Sequence, residues 1–237
     1  MNPYEKLMAR KRKWTPVQTT AGKVREGAEE AIYRALALRH MELPVGDFIN
    51  DALDSDVPIT SREILRSNVV DEENHDLALG YIANAYGTDD KAEAEAKRLR
   101  DAWVSHPDHT ILKAMVAERA IFFVLLPFFR FNGDAGMRTV SADISRDEQI
   151  HVATNSIVCR ELGLDISPSL DKLRKATINW VMQPLANSDL KYLDKKFWLD
   201  SSDRLMYEGK APELVATRSA RMPAFFEHSN VNLPQYA

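Results

Sequence analysis

Apolar positions along the chain recur at steps of three and four, and stretches of strict alternation are hard to find, so the pattern predicts helices and no sheet. A basic N-terminal stretch runs to about Thr20. The periodicity then predicts a first helix from Gly22 to Leu43 and a connector of Pro, Gly and Asp residues from Pro44 to Pro58. Thr60 or Ser61 caps a second helix to about Tyr86, where Gly87 ends it. Asp89 or Asp90 caps a charged third helix, and Pro107–Asp108 opens a fourth that runs to Phe131 and breaks at Asn132–Gly133–Asp134. A fifth helix spans Gly136 to Leu162 and stops at Gly163. Ser167–Pro168 opens a sixth, and beyond Asn187 the pattern turns irregular. Long helices joined by short links predict an all-α helix bundle. The division expected is an arm over residues 1–20, the bundle over 21–187, and a C-terminal extension and tail over 188–237.

Composition narrows the function classes. Against 31 Lys+Arg stand 35 Asp+Glu, a net charge of −4 that favours neither nucleic acid nor a membrane surface as partner. The most apolar run, Ala120 to Phe129, is far too short to span a bilayer and contains Pro127. The basic N-terminus has no apolar stretch behind it, and the lone Cys159 rules out an internal disulfide and a cysteine-based metal site. The expectation is a soluble, cytoplasmic protein.

Two segments read Glu-x-x-His: Glu72 to His75 and Glu148 to His151. That spacing puts both side chains on one helix face. On the second helix the face also carries Leu65, Val69, Leu79 and Ala83, and on the fifth Val140, Ile144, Asn155, Val158 and Leu162. Neither stripe holds a Lys or Arg. Glu118 shares the line Ile111, Met115, Phe122, Leu125, Phe129 on the fourth helix. A carboxylate on a buried face is costly unless it is paired or bound to a cation. Cys159, His40, His106, His109 and His228 read instead as packing or surface residues, and the phenylalanines of the fourth helix as core.

The first helix is expected to supply a fourth carboxylate. Ile32, Leu36 and Leu43 define its apolar face, and Glu29 falls on it, with Glu26 and Glu30 in reserve. An antiparallel pairing sets Glu29 level with Glu72, whereas Glu42 lies at the predicted helix end and is set aside. The candidate set is Glu29, Glu72, His75, Glu118, Glu148 and His151. One Glu from each of two helices and one Glu-x-x-His from each of two others is the carboxylate-bridged dinuclear metal pattern. Four carboxylates and two divalent cations sum to zero charge. Without ions the carboxylates repel and must take up protons. Oxygen and imidazole donors without thiolate suit iron, manganese or both.

At these residues the sequence resembles the small, radical-generating subunit of class I ribonucleotide reductase, a ferritin-like family. Ile144 to His151 (ISRDEQIH) is close to that family's Arg-Asp-Glu-x-x-His helix, Glu118 to Phe129 looks like its Glu-x-Ile-x-Phe helix, and Asp71 to Gly87 resembles its Glu-Glu-x-x-His helix. The resemblance implies a ferritin-like fold, a homodimer, and an oxidoreductase whose metal pair reacts with oxygen, or a reduced form of it, to supply an oxidant to a large catalytic subunit. It implies that Asp147 orients His75, and that Tyr236 in the tail SNVNLPQYA relays an electron to that partner. Where most of the family carries its radical tyrosine, this chain has Leu79. The alternative is a stand-alone di-iron oxygenase or oxidase acting on a small apolar substrate.

Overall fold

The computed structural model describes residues 1–55, 57–186 and 188–214. Its helices are α1 (Pro3–Met8), α2 (Glu29–Ala37), α3 (Glu42–Leu53), α4 (Arg62–Tyr86), α5 (Asp90–Val104), α6 (Thr110–Ala117), α7 (Phe123–Asn132), α8 (Ala135–Glu161), α9 (Pro168–Met182) and α10 (Lys195–Glu208). No strand occurs among the described residues.

Helix starts are set by short polar side chains. Asp89, Asp134 and Ser167 each accept a hydrogen bond from a backbone N–H of the first turn of α5, α8 and α9, worth about 1 kcal/mol apiece. The α4 end at Gly87 uses a φ of 100°, open to glycine alone without strain. A Cβ at Gly133 would meet the Phe129 carbonyl at 2.5 Å, so the α7–α8 corner also requires glycine.

Four units form the central bundle. α3 packs on α4 and α6, and α8 packs on the same two, so each helix has two neighbours around a closed ring. α6 and α7 act as one rod, joined by a π-helical turn over Glu118–Phe122. Outside the ring, α2, α5 and α9 pack on one another, α10 lies against α9 and the π turn, and α1 crosses α4 and α8. The core is continuous from Ile32 through Leu65, Phe128 and Val158 to Trp198.

Three segments differ from the sequence expectation. The first helix does not run from Gly22 to Leu43. It starts at Glu29, tightens into a 3₁₀ turn at Leu38–Met41 and resumes as α3 through the expected connector. Pro44 is tolerated because it stands in the first turn of α3, where an N–H has no intrahelical acceptor. Gly46 lies where α3 meets α4: a Cβ there would touch Glu72 Cβ at 3.5 Å, ordinary contact distance. The stretch beyond Asn187, expected to be irregular, contains α10. Its anchor is Arg174 of α9, fully buried, which donates to Ser202 at 2.7 Å and Asp203 at 2.6 Å.

Candidate metal centre

All four rods of the ring send polar groups into the same point of the core. Glu42 comes from the first turn of α3, Glu72 and His75 from α4, Glu118 from the α6–α7 rod, and Glu148 and His151 from α8. All six side chains are buried. Five of them belong to the set expected from sequence. The sixth does not: Glu29 is exposed at the start of α2, with its carboxylate accepting from the Gly27 N–H at 2.8 Å. Glu26 and Glu30 are exposed too, and Glu30 pairs with Arg34. The correction follows from the helix path. Because the chain continues past Leu43 as α3, Glu42 is no terminal residue but faces α4 at the level of Glu72 and His75.

Donor atoms of Glu42, Glu72, His75 and Glu148 lie within 4.8 Å of one another, and so do those of Glu72, Glu118 and His151. Both histidines present Nδ1 to the centre. Nδ1 of His75 is 3.4 Å from Glu72 Oε2, 3.4 Å from Glu148 Oε1 and 3.8 Å from Glu42 Oε2. Nδ1 of His151 is 2.9 Å from Glu72 Oε1, 3.8 Å from Glu118 Oε1 and 3.9 Å from Glu148 Oε2. Glu72 and Glu148 therefore each divide their two oxygens between the two imidazoles, while Glu42 serves only the His75 side and Glu118 the His151 side.

These inward atoms lack protein partners. Glu42 Oε2, both oxygens of Glu72 and of Glu148, Glu118 Oε1 and both Nδ1 atoms are buried with no hydrogen bond. Orphaned buried polar atoms are rare, and eight converging on one point fit cations that the protein's own donors do not replace. The electrostatics agree. Burial pushes Glu42 and Glu118 well up from the usual carboxylate range and raises Glu148 too, with neighbouring carboxylates adding to the effect. Burial acts on Glu72 in the same direction, but its two histidine neighbours outweigh it and hold it low. Burial alone would lower both histidines. The surrounding carboxylates reverse this, raising His75 well above its ordinary value and His151 to about 10.

Outward, each imidazole has its own carboxylate. Nε2 of His75 lies 3.4 Å from Asp147 Oδ2, and Trp14 Nε1 donates to that same oxygen at 2.5 Å. Nε2 of His151 lies 2.9 Å from Asp71 Oδ2, which the Lys11 ammonium meets at 2.5 Å. Such partners fix the imidazole tautomer and turn the other nitrogen toward an ion. The Trp14 ring also stacks at 6.3 Å from the His75 ring. Neither Asp71 nor the Lys11–Trp14 segment was expected from sequence. The only signal was Asp71 standing directly before Glu72, since a contact between residue 14 and residue 147 leaves no periodic trace.

The π turn accounts for Glu118. A π turn holds one residue more than an α turn and recurs at functional sites. Here it starts at Glu118, whose other oxygen accepts from Asn155 Nδ2 at 2.7 Å. Leu79 is buried in the core, and Cys159 is buried with its thiol pushed up to about 12 by desolvation. Tyr236 lies outside the described residues. No described helix is long and apolar enough to cross a membrane.

Comparison with known proteins finds no matching family model and no matching curated protein. Among solved structures, the chain is similar to a Bacillus halodurans protein provisionally described as a class I ribonucleotide reductase. The TM-score is 0.59 at 15% identity, covering 90% of this chain and 94% of that one. At that identity the likeness speaks for architecture. The chain is an all-α, ferritin-like helix bundle whose buried Glu/His cluster is compatible with a dinuclear site.

Proposed function

We propose that the cluster binds two divalent ions, iron or manganese, and that the protein is an oxidoreductase of the ribonucleotide reductase small-subunit type, making the oxidant for a separate large catalytic subunit. The observation that carries this reading is the division of Glu72 and Glu148 between the two imidazoles. A carboxylate with one oxygen toward each of two histidines could be shared by two ions, and Glu42 and Glu118 would each help to hold one of them. Iron and manganese suit the hard oxygens and imidazole nitrogens, and the one thiol, Cys159, is protonated and outside the set.

Bound there, such a metal pair supplies oxidising power after reaction with oxygen or a reduced form of it. The chain's own residues do the rest. Asp147 and Asp71 hold the outer proton of each imidazole at Nε2. The surrounding Ile, Leu and Phe side chains exclude water. Leu79 has no oxidisable side chain, so the position that carries a tyrosine in most of the resembled family cannot store the equivalent here. Trp14 is the oxidisable group joined to the centre, through Asp147 and His75, and it stands half-buried on the side toward solvent. An electron that reaches the centre along this line crosses two short contacts.

The test is metal loading followed by activity. Protein loaded with iron or manganese without oxygen is expected to hold two ions per chain, and after oxygen exposure to support reduction of a ribonucleoside diphosphate only with a large catalytic subunit from the same organism. Absence of bound metal would refute the centre. Two ions, no ribonucleotide reduction, and partner-independent oxidation of a small apolar compound would make the protein an oxygenase.

A further inference from the structure

We infer that Lys11 is the positioning residue for the His151 half of the centre; this rests on the dinuclear reading above. Asp71 Oδ2 is shared by two donors, His151 Nε2 at 2.9 Å and Lys11 Nζ at 2.5 Å. Lys11 is held in turn by Asn68 Oδ1 at 2.8 Å. The Lys11 and Asp71 side chains are only 9% and 13% exposed, so this is no screened surface pair.

The geometry gives Lys11 a definite task. For His151 to offer its Nδ1 lone pair inward, Nε2 must carry the proton and donate it to an acceptor. An ionised Asp71 is that acceptor, and at this depth a carboxylate needs a counter-charge. Lys11 is the ammonium in contact with it. The His75 half is built differently: Asp147 takes a neutral indole N–H from Trp14. One short segment, Lys11 to Trp14, thus backs both rings, with a cation behind one and a neutral donor behind the other. The two ion positions are therefore inequivalent, and Lys11 is what distinguishes them.

Binding of Mn²⁺ alone to the full-length protein tests this, measured by equilibrium dialysis on wild type, Lys11→Met, Lys11→Arg, Asp71→Asn and the Lys11→Met/Asp71→Asn double variant. Loss of a residue that orients a metal-binding imidazole costs roughly 10- to 100-fold in affinity. Lys11→Met is expected to weaken one of two bound ions by about that factor and leave the other unchanged, with Lys11→Arg recovering most of the loss. The double variant is expected to bind no worse than the poorer single variant, because the two residues act as one unit. Because breaking a buried pair lowers the thermal midpoint in either case, the pattern of the two affinities is what separates positioning from scaffolding. A scaffold role would weaken both ions together. Wild-type binding of both ions by Lys11→Met, tighter binding, or uniform weakening of both would overturn the inference while leaving the dinuclear reading in place. Wild-type protein that binds no Mn²⁺ would overturn both.

Discussion

The Glu42 carboxylate reaches His75, with Oε2 at 3.8 Å from Nδ1, although Glu42 stands at a helix start immediately before a Leu-Pro pair. The 3₁₀ turn at Leu38–Met41 re-aims the chain so that the carboxylate at the start of α3, and not Glu29 at the start of α2, reaches the centre. Glu42→Ala is therefore expected to lose about one ion per chain in metal analysis, and Glu29→Ala to keep two. The reverse result would mean that the first rod slides by several turns when ions bind.

Glu72 and Glu118 are expected to respond oppositely to loss of charge in the metal-free protein. Burial and the nearby Glu148 keep Glu118 neutral, so Glu118→Gln should leave the denaturation midpoint nearly unchanged. Glu72 is ionised between two histidines, so Glu72→Gln breaks a buried ion pair, at a cost of roughly 3–5 kcal/mol. Denaturant melts of the two variants without metal decide it. Equal stability would show that the histidines are neutral in the metal-free fold.

Stability should depend on pH differently in the metal-free and metal-loaded states. Both imidazoles titrate higher in the folded metal-free protein than in the unfolded chain. Their contribution is complete below about 6.5 and is lost as pH rises, toward about 10 for His151. Ionising Glu42, Glu118 and Glu148, all raised, costs stability in the same direction. Metal-free protein is thus expected to melt lower as pH rises from 6.5 to 9. Loaded protein should gain relative to it over the same range, because the ions take the place of protons. Thermal scans at several pH values, with and without Mn²⁺, read this directly. Parallel curves would refute it.

Replacing Trp14 by Phe removes the N–H that meets Asp147 and makes the side chain hard to oxidise, while keeping an aromatic ring in place. The variant is expected to retain two ions and its fold, and to fall by tenfold or more in the rate at which an external reductant reaches the oxidised centre, followed by stopped-flow spectroscopy. An unchanged rate would place the electron path elsewhere.

Much of this centre is written in the periodicity of the chain. Glu72, His75, Glu118, Glu148 and His151 each stand on an apolar stripe, and a stripe is a local property, so these five could be assigned to one buried point without coordinates. Glu42 could not, for a local reason as well. Pro44 and Gly46 read as a connector because both disfavour helix interiors, yet a proline in a first turn lacks only an N–H that had no acceptor. Lys11, Trp14 and Asp71 were illegible for the opposite reason. Their partners are set by how an irregular polar segment lies across α4 and α8, and neither propensity nor period encodes that. The same holds for α10, whose attachment rests in large part on long-range bonds such as those from the buried Arg174 to Ser202 and Asp203.

The π turn at Glu118–Phe122 makes the α6–α7 rod intolerant of a change in length. An α-helix advances about 100° per residue, so the extra residue sets everything after Phe122 out of phase with everything before Glu118. Both halves of the rod are buried on every side, Ile111 to Glu118 before the turn and Val124 to Phe129 after it, so each half is fitted to its neighbours all round. Deleting a single residue, Ala120 for instance, would restore a regular helix while swinging one half of the rod by more than a quarter turn. Either Glu118 would turn away from the centre or Phe128 and Phe129 would lose their present packing partners. Descendants of this chain can exchange residues in that turn, but they cannot lose one and keep both.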